Sequence, residues 1–354
     1  MPSSGIYLFP SGGAGMRRVD NPPNPFEPLE REWLDEPPPA TLQIFADDSR
    51  AILSENSSPD LPFRWSINPY RGCFHACAYC YARPTHEYLG FGAGTDFESK
   101  IVVKPRAAEL LRAAFMRPSW TGELIVFSGD TDCYQPLESR WRLTRRCLEV
   151  CAEFRNPVGI ITKSPRVLRD LDLLQELHRR ANVCVFLSIP FADDAVGRAI
   201  EPQAPPVSRR FEALLRLAEG GIPTGVSVAP IIPGLNDADI PRILERARAA
   251  GARYAQSVLL RLPGAALPVF LARLRTALPE RARRVENHIR AVRGGKLNES
   301  RFFARQAGQG IYWEMIEKQW QLHKRRLGFE TGRNGESESR PRTFVRPGAQ
   351  ARLF

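Results

Sequence analysis

Asn68-Pro69-Tyr70-Arg71-Gly72-Cys73-Phe74-His75-Ala76-Cys77-Ala78-Tyr79-Cys80-Tyr81-Ala82-Arg83 gathers three of the chain's seven cysteines into eight residues. Gaps of three and then two residues let a short loop wrap one face of an iron–sulfur cubane, with each thiolate on its own iron. Three ligands leave one iron without a protein donor, and a metal that binds substrate needs such an open position. Electron-transfer clusters take four cysteines. Structural zinc also wants a closed set of four, which His75 or His86 could complete, so zinc is the competing reading of the same loop.

Working outward, Ser66–Arg71 reads as a strand that delivers the loop. Five more apolar strands are expected at Glu123–Ser128, Val158–Thr162, Val183–Ile189, Thr224–Pro230 and Ala255–Leu260. Between them AAELLRAAFM, LTRRCLEVCAEF, RVLRDLDLLQELHRR, SRRFEALLRLAEGG and ADIPRILERARAAG carry apolar residues at helical spacing. Near-continuous apolar strands separated by amphipathic helices predict a parallel sheet covered on its outer face. Six such units predict an α/β fold, an open or closed (β/α) barrel. Chemistry in such folds sits at the C-terminal ends of the strands. Polar residues fall in those places: Arg71-Gly72-Cys73, Ser128-Gly129-Asp130-Thr131-Asp132, Lys163-Ser164, Ser188 and Arg261.

The remaining chain divides by composition. Residues 1–60 hold ten prolines and are expected to be extended or disordered. Residues 61–265 form the barrel, 266–327 a helical C-terminal extension, and 328–354 a basic flexible tail. No run approaches the roughly 18 apolar residues of a membrane span, and no secretory leader pattern opens the chain. Both features predict a cytoplasmic protein with no membrane partner, where thiols stay reduced and seven cysteines do not form a disulfide framework. The net charge of +11 favours polyanionic partners by long-range attraction. Of that charge, +5 lies in residues 321–354, which reads equally as a solvated tail.

Cys-x3-Cys-x-aromatic-Cys after a first strand, followed by five βα units, resembles the radical S-adenosylmethionine (SAM) superfamily. The closer resemblance is to its spore photoproduct lyase-like branch, also called DNA repair photolyase-like. It implies a partial (β/α)6 barrel of the TIM-like type and a [4Fe-4S] cluster on Cys73, Cys77 and Cys80. It further implies SAM on the open iron, and a reductant such as flavodoxin or ferredoxin. One electron then splits SAM to methionine and a 5′-deoxyadenosyl radical. By the same resemblance Lys163 binds the SAM carboxylate and Ser188 the ribose. Ala229, in Val226-Ser-Val-Ala-Pro230, lies beside the adenine, and Tyr79 offers backbone groups to the adenine edge. Glu201-Pro202 follows strand four as in that branch. Asp132, or Asp130, sits where a carboxylate would meet the SAM ammonium; an Asx-type turn is the plainer reading of the same residues.

The pattern departs from true spore photoproduct lyase at one point. That enzyme has a cysteine near the second strand that returns a hydrogen atom to its product radical, and Gly129 takes the matching place here. Cys133, a few residues on, is the candidate donor, against the plainer reading of a buried structural thiol. Arg293-Gly294-Gly295-Lys296 and Phe302-Phe303-Ala304-Arg305-Gln306 are expected to close the open side of the barrel over substrate. Phe74, Tyr79, Tyr81 and Tyr88 could stack on bases. The expected function is a radical SAM enzyme acting on an unidentified substrate, with nucleic acid or nucleotide favoured by charge. A peptide-modifying radical SAM enzyme and a zinc-dependent nucleic-acid-binding protein are the alternatives.

Overall fold

Six strands lie side by side in chain order and all run parallel: Trp65–Ile67, Ile125–Phe127, Val158–Thr162, Val183–Ser188, Thr224–Ile231 and Tyr254–Leu259. They come from a computed structural model that describes residues 41–330 together with 7–8, 21–22, 24–26 and 343–347. Each strand is short and apolar because both of its faces are covered; every residue of Val183–Ser188 is buried. The expected helices return between them, over Ala107–Met116, Leu143–Glu153, Leu171–Arg180, Val207–Glu219 and Ile240–Ala249. One apolar core, running from Ile67 through Phe127, Leu187 and Val226 to Trp320, fills the space between sheet and helices.

Among the described residues the first and sixth strands do not pair, so the barrel is open. Leu53–Glu55 covers the free edge of the first strand in antiparallel register, Leu53 facing Ile67. The gap is spanned by residues 304–306 of the C-terminal extension. Leu259 N donates to the Gln306 carbonyl at 3.3 Å, and Gln306 Nε2 donates to the Asp60 carbonyl at 2.9 Å. Arg305 forms a two-pronged ion pair with the Asp60 carboxylate, 245 residues away in sequence.

A second, smaller sheet differs from the sequence reading. The predicted strand Ser66–Arg71 breaks into Trp65–Ile67, in the barrel, and Tyr70–Arg71, which pairs with Lys100–Val103. Lys100–Val103 also runs parallel to Gln43–Ala46. The packed body therefore starts before residue 61: Ile44, Tyr70, Ile101 and Val103 share a core with Leu137 and Leu143. The Pro-rich composition around Gln43–Ala46 masked a strand whose partner is more than fifty residues away.

The C-terminal extension is helical over Ala266–Ala277, Pro279–Val292 and Gly310–Arg326. The tail expected from 328 onward packs in two places. Phe329 is buried, and Glu330 N donates to the Arg253 carbonyl at 2.9 Å. Phe344 packs against Phe115 and Phe154, while Arg346 donates to the Phe115, Arg117 and Trp120 carbonyls around the end of helix Ala107–Met116. An aromatic and a guanidinium with open carbonyls to meet suffice to dock so polar a segment. Residues 331–342 and 348–354, like most of 1–40, lie outside the described residues.

Candidate active site

The cysteine loop leaves the Tyr70–Arg71 strand at the C-terminal end of the barrel. It turns at Gly72, whose φ of +73° belongs to the left-handed region; a Cβ there would stand 2.9 Å from both His86 Cε1 and the Phe97 carbonyl. Cys73 N donates to that carbonyl at 2.9 Å. Gln135 clamps the loop from the far side, accepting from Phe74 N at 3.1 Å and donating to the Gly72 carbonyl at 3.2 Å. Arg83 is fully buried beneath it. Its guanidinium donates to the carbonyls of Cys77, Ala93 and Gly94 and pairs with Glu98.

This donor set fits an iron–sulfur cubane. Cys73, Cys77 and Cys80 lie on one rigid loop, with Cys77 packed against the barrel core and Cys73 and Cys80 against Ala82 and Phe97. Among the described residues no three His, Cys, Asp or Glu side chains gather tightly enough for one ion; a cubane spreads its thiolates over different irons. His86, one of the two suggested fourth zinc ligands, directs Nε2 to the Lys100 carbonyl at 2.8 Å. Burial pushes the Cys80 thiol up to about 12, so the metal-free loop carries that proton until a metal displaces it.

Below the loop, the ends of strands three, four and five bring the expected SAM-binding residues into one polar group. Lys163 Nζ donates to Ser188 Oγ at 3.1 Å and stands 3.8 Å from Glu201. Its ammonium also lies over the Tyr79 ring, 5.6 Å from the centroid. Tyr79 donates its hydroxyl to Glu201, and Ser188 Oγ donates to the Ala229 carbonyl at 3.4 Å. Lys163 through Ala229 thus join residues spread over 66 positions, because parallel register sets Thr162 beside Leu187 and Ser188 beside Ser227.

Charge within this group centres on Glu201. Arg210, itself buried, pairs with the second oxygen of Glu201 at 2.5 Å and donates to the Ser188 carbonyl at 3.1 Å. Burial alone would raise the Glu201 carboxyl, but Arg210 and Lys163 outweigh it and hold it below the usual carboxylate range. Burial likewise pulls the Lys163 ammonium down, while Cys77 and Glu201 leave it raised.

Asp132 sits beside this group and is fully engaged. Oδ1 accepts from Thr162 Oγ1 at 2.7 Å and Tyr134 N at 2.9 Å, and Oδ2 accepts from Lys163 N at 2.8 Å. His75 Nδ1 approaches Oδ2 at 3.3 Å, off the line of an aligned hydrogen bond. Burial disfavours the His75 cation, yet Asp132 and Cys73 push the ring up to about 9. Asp130 points elsewhere, toward Arg71, Lys104 and Thr85, and burial raises its carboxyl to about 6. Gly129 packs against Ser66. Cys133 is fully buried in the barrel core, its N–H donating to Ser128 Oγ and its carbonyl accepting from Thr144; burial pushes its thiol well up.

At the rim, Tyr81 is exposed, donates to the Gly129 carbonyl, and lies under the Arg261 guanidinium at 5.7 Å. Arg293 gathers the carbonyls of Leu260, Ala304, Arg305 and Ala307, shaping the Gly-rich segment into a loop. That loop leaves Phe302 and Phe303 exposed, at 52% and 64%, with Arg305 over the Phe302 ring at 4.7 Å. Tyr79 is buried and Phe74 half-buried; Tyr88 is exposed and packs on Phe26.

Sequence reasoning missed Arg83, Gln135 and Arg210 altogether and did not see Glu201 as the hub. Arg210 lies on the buried face of an amphipathic helix, where a lone arginine among apolar residues was a readable signal. Gln135 offered none.

The family model for the radical SAM superfamily matches residues 67–247, just over half of the chain. An uncharacterised protein of Mycobacterium tuberculosis is 38% identical over 222 residues, which are 62% of this chain and 65% of that protein. This match spans just under two thirds of the relative's length. A radical SAM Nalpha-GlyT isomerase of Pseudomonas phage M6 is 26% identical over 186 residues, 52% of this chain and 36% of the phage protein. Among solved structures, spore photoproduct lyase complexed with dinucleoside spore photoproduct has the same fold, with a TM-score of 0.55 at 15% identity over 80% of this chain and 78% of that one. The matched span carries the cysteine loop and strands two to five without a break, and it makes this chain a member of the radical SAM superfamily.

Proposed function

We propose that this radical SAM enzyme holds a [4Fe-4S] cluster on Cys73, Cys77 and Cys80 and acts on a nucleic acid or nucleotide. When bound and reduced by a flavodoxin or ferredoxin, the cluster supplies the electron that splits SAM into methionine and a 5′-deoxyadenosyl radical. The convergence of Tyr79, Lys163, Ser188 and Glu201 beneath the cysteine loop carries this reading.

Lys163 presents its ammonium to the SAM carboxylate, and Glu201 keeps that ammonium charged and aimed. Ser188 meets the ribose, while the backbone at Tyr79 and Ala229 borders the adenine. Asp132 serves as a positioning residue for the ammonium end, since its own oxygens already hold Lys163 N and Thr162. Cys133 is proposed as a hydrogen donor only through a motion that uncovers its thiol.

The substrate class rests on the rim. Phe302, Phe303 and Tyr81 are exposed aromatic rings, with Arg261 over Tyr81 and Arg305 over Phe302, a combination suited to stacked bases and phosphates. The dinucleoside bound in the solved spore photoproduct lyase supports the same class.

Anaerobic reconstitution tests the proposal. Brown protein with about four irons per chain, releasing deoxyadenosine faster with a DNA or RNA pool than with peptide or metabolite pools, is expected. Colourless protein holding one zinc would refute the cluster, and stimulation by peptides alone would refute the substrate class.

A further inference from the structure

His75 lies inside the cysteine loop and is buried, with 1% of its surface exposed. Among the described residues it alone leaves two buried side-chain nitrogens without a hydrogen bond. Buried polar groups in folded proteins are satisfied as a rule, because an unmade hydrogen bond there costs stability. The backbone gives the ring little freedom. Phe74 N donates to Gln135 at 3.1 Å, the His75 carbonyl accepts from Gln203 N at 3.3 Å, and Ala76 turns the chain with a φ of +56°.

Two groups stand beside the ring. Asp132 is the first, with Oδ2 at 3.3 Å from Nδ1. Its carboxylate accepts from Thr162 Oγ1, Tyr134 N and Lys163 N, three donors that favour its charged form. The Cys73 sulfur is the second, within hydrogen-bonding reach of the ring. Carboxylate and metal-bound thiolate are both acceptors, and an imidazole N–H is a donor that suits either. Asp132 also holds Lys163 N, so a ring seated between Asp132 and Cys73 ties the cysteine loop to the strand end that presents Lys163.

We propose that His75 is a positioning residue for the cluster: it donates an N–H to the Cys73 sulfur, is steadied by Asp132, and thereby eases one-electron reduction. The inference rests on the cluster assigned above to Cys73, Cys77 and Cys80. A hydrogen bond to a cluster sulfur offsets the negative charge that arrives with the electron and raises the reduction potential. One electron passes from the flavodoxin or ferredoxin to the cluster, and the step neither makes nor breaks a bond.

Redox titration of the anaerobically reconstituted full chain, followed by EPR of the reduced cluster without SAM, tests it. His75→Leu removes both nitrogens; His75→Gln keeps an N–H. At the potential where the wild type is half reduced, the ratio of reduced to oxidised cluster in His75→Leu should fall about tenfold, which is a midpoint lower by about 59 mV for one electron. His75→Gln should recover most of that loss. An unchanged midpoint in a His75→Leu protein that holds about four irons would overturn the inference. So would an equal drop in both variants, since both would then answer only to the missing ring. Should His75→Leu fail to hold iron, pulsed EPR of the wild type, isotope-labelled at its histidine nitrogens, carries the test. A weak nitrogen coupling that disappears in His75→Gln is expected, and no coupling refutes the hydrogen bond. A wild type without any cluster signal would sink the cluster reading and this inference together; a normal wild-type signal with an unmoved midpoint sinks this one alone.

Discussion

Lys163 and Arg142 are both cations in loops on the catalytic face, and their surroundings could hardly differ more. Lys163 is enclosed by Tyr79, Ser188 and Glu201, and Glu201 is tied in turn to Arg210. Arg142 stands in solvent among other arginines. In the first region every charge is answered by the protein itself, so geometry is held before any ligand arrives. In the second, and at Phe302 and Phe303, cations and aromatic rings reach solvent. A small molecule handled the same way at every turnover suits the enclosed group; a larger, variable partner suits the open rim.

The contrast breaks first at the cysteines. Cys77→Ala should abolish reductive SAM cleavage and lower bound iron, because one iron loses its anchor; undiminished deoxyadenosine production would remove the ligand assignment.

Glu201→Gln sharpens the buried side. It leaves Arg210 and Lys163 without their counter-charge, at a cost of about 3–5 kcal/mol in urea unfolding. The Glu201 carboxyl is held below its usual range, so its contribution is present above the unfolded value of about 4.3 and fades as pH falls through the folded one. The variant should therefore show a flatter acid limb of stability than the wild type. An acid limb as steep as the wild type's would mean that Glu201 is not the charged hub.

Arg305→Ala probes the rim. It loosens the loop that carries Phe302 and Phe303 and leaves Asp60 with only the Phe303 N–H of that loop, so unfolding free energy should drop by about 2 kcal/mol with iron content unchanged. Loss of iron would show that the loop supports the cluster instead.

Cys133→Ala should have the smallest effect. Its thiol is buried in the core, so a packing loss of about 1 kcal/mol is expected, measured by thermal unfolding. A larger drop in product yield than in stability, with deuterium uptake from solvent altered, would favour the donor role.

Much of this was legible because it is local or periodic. Cys73, Cys77 and Cys80 announce themselves by spacing, and strands such as Val158–Thr162 by unbroken apolar character. Lys163 and Ser188 were legible as strand-end residues, though only their resemblance to a known branch attached them to SAM. Glu201, Arg210 and Gln135 were not, since their partners lie 61 to 122 residues away in some cases and no local pattern pairs a glutamine with a loop carbonyl. The strand at Gln43–Ala46 hid in Pro-rich surroundings for the same reason, as did the docking of Phe344.

The sequence by itself determined the alternation of strand and helix, and with it a parallel barrel bearing three thiolates at the end of its first strand. Apolar periodicity and ligand spacing act over a few residues and survive in one dimension. Which polar side chains meet under those thiolates, and which cations reach solvent at the rim, was decided only by tertiary structure. Parallel register and the docking of the C-terminal loop set those distances, and burial then turns proximity into charge balance.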